Sequence, residues 1–268
     1  MRLQYAGPVA VFRIAALAAI GLLAWAADNP DELYREGLRL LSEQKVEAAI
    51  AAFQKTVALR PRDAAAWKAL GVGFASRGDY ESAEKPFHSA CLFQPLLADA
   101  CLYYGRTLYL LDRFEPALNV LRKAQENDRQ NAQIRRIEGL SLEALGREQE
   151  SEAAFREAMR LDRGSAPNDD PGIDYGVFLF RRGRAEDALR PLEAALQKHS
   201  DAGRAHLELG CVLLALDRVQ EAVPHLERAV ALDPQAPRGH LLLGRAYLRL
   251  GKAELAEQHL AQGSRTVR

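Results

Sequence analysis

The stretch Trp67-Lys68-Ala69-Leu70-Gly71-Val72-Gly73-Phe74, followed by Ala83-Glu84-Lys85-Pro86-Phe87-His88-Ser89-Ala90, decides the fold. Gly71 recurs as Gly37, Gly105, Gly139, Gly176, Gly210 and Gly244, at successive separations of 34, 34, 34, 37, 34 and 34 residues. A fixed period of this size over most of a 268-residue chain means one small structural unit copied in tandem.

Four residues before each glycine stand Leu33, Trp67, Cys101, Arg135, Gly172, His206 and His240. Three after it stand Leu40, Phe74, Leu108, Leu142, Leu179, Leu213 and Tyr247. These offsets share one stripe of an α-helix, with the glycine at its centre. A residue without a side chain there lets a second helix approach, which outweighs the ~1 kcal/mol that a mid-helix glycine costs. Twelve residues beyond each glycine comes a small residue (Ala83, Ala188 and Ala222 among them), and four further on a bulky one: Phe53, Phe87, Leu121, Phe155, Leu192, Leu226 or Leu260. That is the complementary stripe of a second helix. Turn formers such as Arg77-Gly78-Asp79 and Arg182-Gly183-Arg184 lie between, and Pro61, Pro95 and Pro234 close three of the repeats.

The pattern resembles the tetratricopeptide repeat, aromatic-x2-Leu-Gly-x2-Tyr, then Ala-x3-Phe, then Pro. Trp67, Leu70, Gly71, Phe74, Ala83, Phe87, Ala90 and Pro95 carry the resemblance best, and seven copies cover about residues 30 to 265. The fold it implies is all-α, an α-α superhelix of seven helical hairpins. Repeats one to four occupy 30–165, a short insert 166–168, and repeats five to seven 169–268, continuous with the first four. Arg135 and Gly172 depart from the aromatic slot, so the fourth and fifth hairpins are expected to be the least well packed.

Residues 1–26 differ from the rest. Arg2 and Arg13 precede the apolar run Ile14 to Ala24, and Ala24-Trp25-Ala26 offers small residues for cleavage. That is the layout of a secretory signal peptide. The alternative is an uncleaved anchor over residues 14–27, although the run is short against the ~20 apolar residues of a comfortable span. No cysteine near the cut could accept a lipid, and Asn-x-Ser/Thr sequons are absent. The expected location is a bacterial periplasm or the exterior, or the inner membrane if the segment is retained.

Asp28 and Asn29 are placed to cap the first helix ahead of Pro30. The period slips in Gly164-Ser165-Ala166-Pro167-Asn168-Asp169-Asp170-Pro171-Gly172, where a proline-punctuated loop should let the two sets of hairpins pivot. Asn168, Asp169, Asp170 and Asp174 do not have the spacing of a calcium loop, and helix capping is their expected role. In the last repeat the outer positions Ala253, Glu257, Ser264 and Thr266 replace the apolar Val219, Val223, Val230 and Leu232 of the sixth. A terminal repeat needs that change for solubility, so the array is expected to end here.

Lysine plus arginine equals aspartate plus glutamate at 36 each, and a polyanion binder would show a basic excess, so nucleic acid is not an expected partner. Cys91 lies late in one helix and Cys101 early in the next; antiparallel neighbours could bring them into disulfide range, but two small buried hydrophobes is the favoured reading. His206 with His240, and His225 with His259, recur at the 34-residue period, as packing or surface residues do. No H-E-x-x-H, Cys-x2-Cys, G-x-S-x-G or Walker motif occurs, so neither a metal, a cofactor nor an enzymatic activity is expected.

What remains is the stripe six and three residues before each glycine and one and four after it. In tetratricopeptide domains it lines the concave groove, so the resemblance makes it the binding surface. The third repeat supplies Asp99, Leu102, Arg106 and Tyr109, the fourth Gln133, Arg136, Leu140 and Glu143. The fifth gives Asp170, Ile173, Val177 and Phe180; the sixth Arg204, Leu207, Cys211 and Leu214; the seventh Arg238, Leu241, Arg245 and Leu248. Apolar centres flanked by arginines suit a peptide or helix with apolar anchors and acidic flanks. Packing of part of this stripe on a neighbouring hairpin or on a second copy of the chain is the competing reading. The Lys/Asn carboxylate clamp of chaperone-binding members is missing, its first places being held by Tyr34 and Leu38. The expected function is a non-enzymatic scaffold or assembly factor of the cell envelope; the alternative is an export component that grips a glycan or peptide.

Overall fold

The computed structural model describes residues 29–93, 97 and 99–265. The expected signal segment, Pro95 and Thr266 lie outside them. Among the described residues there are fourteen α-helices and no strand, so the all-α expectation holds. Two compact bodies divide the chain between Asp112 and Arg113.

The first body contains α1 (Pro30–Ser42), α2 (Val46–Leu59), α3 (Ala64–Ser76), α4 (Tyr80–Leu92) and α5 (Ala100–Leu110). Asn29 caps α1 through its side chain, with Pro30 in the first turn, as expected. Asp63 and Asp79 do the same for α3 and α4. Hairpin one packs Phe53, Val57 and Ile50 of α2 against Ala66, Ala69 and Leu70 of α3.

The second body contains α6 (Phe114–Asn127), α7 (Ala132–Ala144), α8 (Glu148–Leu161), α9 (Pro171–Arg181), α10 (Ala185–Lys198), α11 (Gly203–Ala215), α12 (Val219–Leu232), α13 (Pro237–Arg249) and α14 (Ala253–Arg265). A 3-10 turn, Pro167–Asp169, leads into α9. One continuous core, including Phe155, Phe178, Leu192, Leu209, Leu226 and Leu243, runs through hairpins four to seven.

The packing expectation for the fourth and fifth hairpins divides. Gly172 is buried, and a Cβ there would sit 2.6 Å from the Pro191 carbonyl, so α9 and α10 are closely apposed and the fifth hairpin is tight. In the fourth, Arg135 lines a recess of about 450 Å³ with Leu118, Glu138 and Leu142, and its Nε is buried without a partner. A charged side chain cannot fill an aromatic slot and also satisfy all of its donors.

The insert, where a pivot is expected, makes its own polar contacts. Hairpins on both sides of it belong to the same body, and polar contacts tie the loop down. Gln133 donates to Ser165 Oγ (2.8 Å) and the Asp169 carbonyl (3.0 Å), while Lys198 bonds Asp162 (2.8 Å) and Asp170 (3.2 Å). Of the four residues expected to cap, Asp170 caps α9, accepting from Gly172 N at 2.7 Å, and Asn168 accepts through its side chain from Arg204 N in the first turn of α11 at 3.1 Å.

The Sγ atoms of Cys91 and Cys101 are joined in a disulfide, with Cα atoms 4.7 Å apart, in place of the two separate hydrophobes favoured above. Cys211 is free. No helix among the described residues is long and apolar enough to cross a membrane.

Candidate functional site

The proposed binding stripe runs along the first helix of each hairpin. In the second body these helices touch in succession, α7 with α9, α9 with α11, and α11 with α13. Contacts between successive second helices are sparser. The first helices therefore form the inner layer, and side chains facing away from their own hairpin partners share one surface.

The arginines expected to flank a ligand's acidic groups are largely taken. Arg136 is 6% exposed and Asp174 4%, and the two are paired in the interior. Arg136 also bonds Asp169 at 3.0 Å. Arg204 reaches the other oxygen of Asp174 and donates to the Asn168 carbonyl at 3.2 Å. Burial would push the Asp174 carboxyl up, but the two guanidinium groups outweigh it and hold it below the ordinary carboxylate value. One repeat on, Arg238 makes a bidentate pair with Glu208, 2.9 Å on one branch. Arg136, Arg204 and Arg238 thus tie consecutive first helices together; Arg136 is buried, while the Arg238 side chain stays 54% exposed.

Of the acids that absorb them, Asp174 was expected only to cap a helix, and Glu208 was not singled out from the sequence. Both occupy the position two before the repeat glycine, and each meets an arginine 30 residues later, Asp174 with Arg204 and Glu208 with Arg238. That recurrence was present as a signal.

Two apolar members are also withdrawn from the surface. Ile173 is 0% exposed and Leu214 9%, both within the core. Val177, Phe180, Leu207 and Leu241 are half-buried, while Arg245 and Leu248 are exposed. Leu248, 55% exposed, borders a recess of about 410 Å³ with Leu214, Leu242, Arg245 and Arg249. Arg249 is engaged by Asp217 and the Leu214 carbonyl. Among the described residues Arg245 has no ion-pair partner. Nearby, the Cys211 thiol is half-buried and pushed up by burial, against the pull of Arg238 and Arg245. In the first body Arg106 is exposed and Tyr109 half-buried. Among the described residues no three His, Cys, Asp or Glu side chains gather as a metal site would need.

The four histidines related by the period meet in two pairs, His206 with His225 and His240 with His259, at 3.0 and 2.9 Å between Nδ1 atoms. Sequence reading matched them across repeats; the structure joins them within each hairpin.

No curated protein sequence matches the chain. Among solved structures it is similar to the Cut9–Hcn1 hetero-tetramer of APC/C, with 18% identity, a TM-score of 0.68 and coverage of 86% of this chain; it spans only 45% of that one. A tetratricopeptide repeat protein from Parabacteroides merdae superposes with a TM-score of 0.66 at 13% identity, over 88% of this chain and 93% of the other. YrrB, described as a TPR protein with an unusual peptide-binding site, gives 0.50 at 21% identity, over 66% and 90%. At these identities the likeness establishes the fold. The sequence profile of the tetratricopeptide repeat matches residues 34–93, 104–166, 179–237 and 207–264. With more than half of its length matched in this way, the chain belongs to the tetratricopeptide repeat family.

Proposed function

We propose that this protein is a non-enzymatic scaffold that captures a partner protein segment on the inner stripe of hairpins five to seven. The carrying observation is what the internal ion pairs leave over. Once Arg136, Arg204 and Arg238 are neutralised, the accessible stripe of hairpins five to seven is apolar, with Leu248 55% exposed beside a recess of about 410 Å³ and Arg245 without an ion pair among the described residues. Such a surface suits a segment with two or three apolar anchors and one acidic residue, each buried anchor contributing ~1.5–3 kcal/mol.

The cell envelope is the proposed location. The layout of residues 1–26 supports export, and the Cys91–Cys101 disulfide suits an oxidising compartment.

A photo-crosslinking amino acid placed at Leu248, and separately at the exposed Glu257 of α14, tests the site in cells that make the protein. Adducts with a protein from position 248 alone are the expected result. Adducts from 257 alone would move the site to the outer face. Adducts with glycan would favour the export reading.

A further inference from the structure

In hairpin six, His206 Nε2 lies 3.1 Å from the Ser200 carbonyl and its Nδ1 3.0 Å from Nδ1 of His225. In hairpin seven, His240 Nε2 lies 3.0 Å from the Pro234 carbonyl and its Nδ1 2.9 Å from Nδ1 of His259. A carbonyl only accepts, so the Nε2 atoms of His206 and His240 carry protons. Hairpin two supports this with a residue that has no choice: Trp67 fills the same slot, and its indole N–H donates to the Pro61 carbonyl at 2.8 Å, also six residues back.

The remaining protons follow by elimination. Neutral His206, protonated on Nε2, presents a bare Nδ1, so His225 must donate Nδ1–H to it. His259 donates to His240 in the same way. A first added proton enters at Nε2 of His225 or His259 and leaves the N–H···N bond in place, now charge-assisted. A second has only the Nδ1 of His206 or His240 to occupy, where the bond already sits. Two imidazolium rings would then face each other N–H to N–H about 3 Å apart.

We propose that these two pairs are a proton-operated latch: each holds its hairpin closed with up to one added proton and releases it on the second. A metal ion is a poorer occupant, since among the described residues no third His, Cys, Asp or Glu side chain joins either pair.

The surrounding charges do not override the effect. Beside His225 stand Glu193 of α10 and Glu221 of α12, the latter paired with Arg218 at 2.7 Å. Beside His259 stand Glu227, which accepts from the Tyr247 hydroxyl at 2.6 Å, and Lys252 over the Tyr247 ring. Burial first, and the partner ring second, hold His225 and His259 below the ordinary histidine value, with Glu221 and Glu227 pulling the other way. A histidine lowered in the fold stabilises it fully above the ordinary 6.5 and loses that contribution as pH falls through the lowered value. Acidification therefore costs stability at the first proton, and the second, left only the nitrogen already in the bond, opens the latch. His206 and His240 precede Leu207 and Leu241 of the inner stripe, so opening disturbs that surface; the latch itself does not depend on what the stripe binds.

Imidazole nitrogen NMR of the full chain, titrated from about pH 8 to about pH 5, reads the proton positions directly. Expected are Nε2–H tautomers for His206 and His240, Nδ1–H tautomers for His225 and His259, and one proton taken per pair before amide protection is lost in α11 to α14. Four independent titrations near the ordinary value, or two protons per pair with protection intact, would overturn the latch. The double variant His225→Gln/His259→Gln keeps an N–H donor but no titration. In that variant His206 and His240 should take up no proton while amide protection in α11 to α14 persists, against one proton per pair in the wild type. Uptake by either ring with protection intact would overturn the proposal as well. The NMR reading stands on the wild type alone should the variant fail to fold.

Discussion

Gly210 fits directly against Leu226: a Cβ at Gly210 would lie 2.6 Å from both Cγ and Cδ2 of that fully buried side chain. The sixteen-residue partnership repeats at Gly37 with Phe53, Gly71 with Phe87, Gly139 with Phe155, Gly176 with Leu192 and Gly244 with Leu260. The glycine recurs in register along this chain because the facing helix supplies the side chain that it lacks.

Leu226→Ala should accordingly cost ~2–5 kcal/mol in denaturant unfolding. Gly210→Ala should cost ~1–3 kcal/mol by overpacking, despite its better helix propensity. In the Leu226→Ala background the second change should become neutral or favourable, since the added methyl enters vacated space. Additive costs would mean that the two residues do not meet.

The buried pair gives a sharper contrast. Asp174→Ala leaves Arg136 in the interior without its partner and should lower stability by ~3–5 kcal/mol. Arg245→Glu, at an exposed side chain with no ion pair among the described residues, should stay within ~0.5 kcal/mol. Thermal or urea unfolding of the two variants checks both. Reversing Arg204 or Arg238 would confound binding with folding, so Arg245 is the clean charge probe of the stripe.

The turns between paired helices carry another expectation. Seven residues after the repeat glycine the backbone is left-handed throughout: Gly78, Gly146, Gly183 and Gly251 take this place in four repeats, Gln44, Asp112 and Asp217 in three. At Gln44 φ is 60°, a conformation that costs a side chain ~1–2 kcal/mol. Gln44→Gly should recover ~0.5–1 kcal/mol after its greater chain entropy is subtracted. An unchanged or lower midpoint in urea would count against the turn geometry.

Period, hairpins and core were legible because each rests on short-range offsets that sequence displays directly, as with Gly210 and Leu226. The stripe was legible as a position and not as a surface. Whether Arg204 is free depends on Asp174, 30 residues away, and whether Ile173 is accessible depends on how closely α9 packs on its neighbours. The histidine pairs escaped for the same reason: the 34-residue recurrence was visible, while the within-hairpin contact at 19 residues required both helices in place.

Acid should act at a second place, the tie across the insert. Burial would raise the Asp162 carboxyl, but the Lys198 ammonium and Ser165 bring it down to about 2, from an ordinary 3.8. A depressed carboxylate stabilises the fold fully above its unfolded value and loses that contribution as pH falls through the folded one. Wild-type stability should thus decline between about pH 4 and about pH 2 with a component that Asp162→Asn removes, up to one proton in the slope. Identical slopes would show that Lys198 does not hold Asp162 in solution.

The disulfide joins α4 to α5 inside the first body and closes a loop with a sequence separation of 10 residues. Restricting the unfolded chain over a loop of that length is worth ~3 kcal/mol in the chain-entropy account. Cys91→Ala/Cys101→Ala should therefore lower stability by up to that amount, partly offset because two small apolar side chains still fit the interior. Proteolysis of the native protein without reductant should yield one cross-linked peptide containing Cys91 and Cys101, with Cys211 alkylated once the chain is unfolded. Recovery of all three cysteines as thiols from protein made in its own cells would remove the bond, and with it one of the two supports for an oxidising compartment. Export would then stand on residues 1–26 alone, where N-terminal sequencing of the mature protein decides between cleavage near residue 26 and a retained anchor.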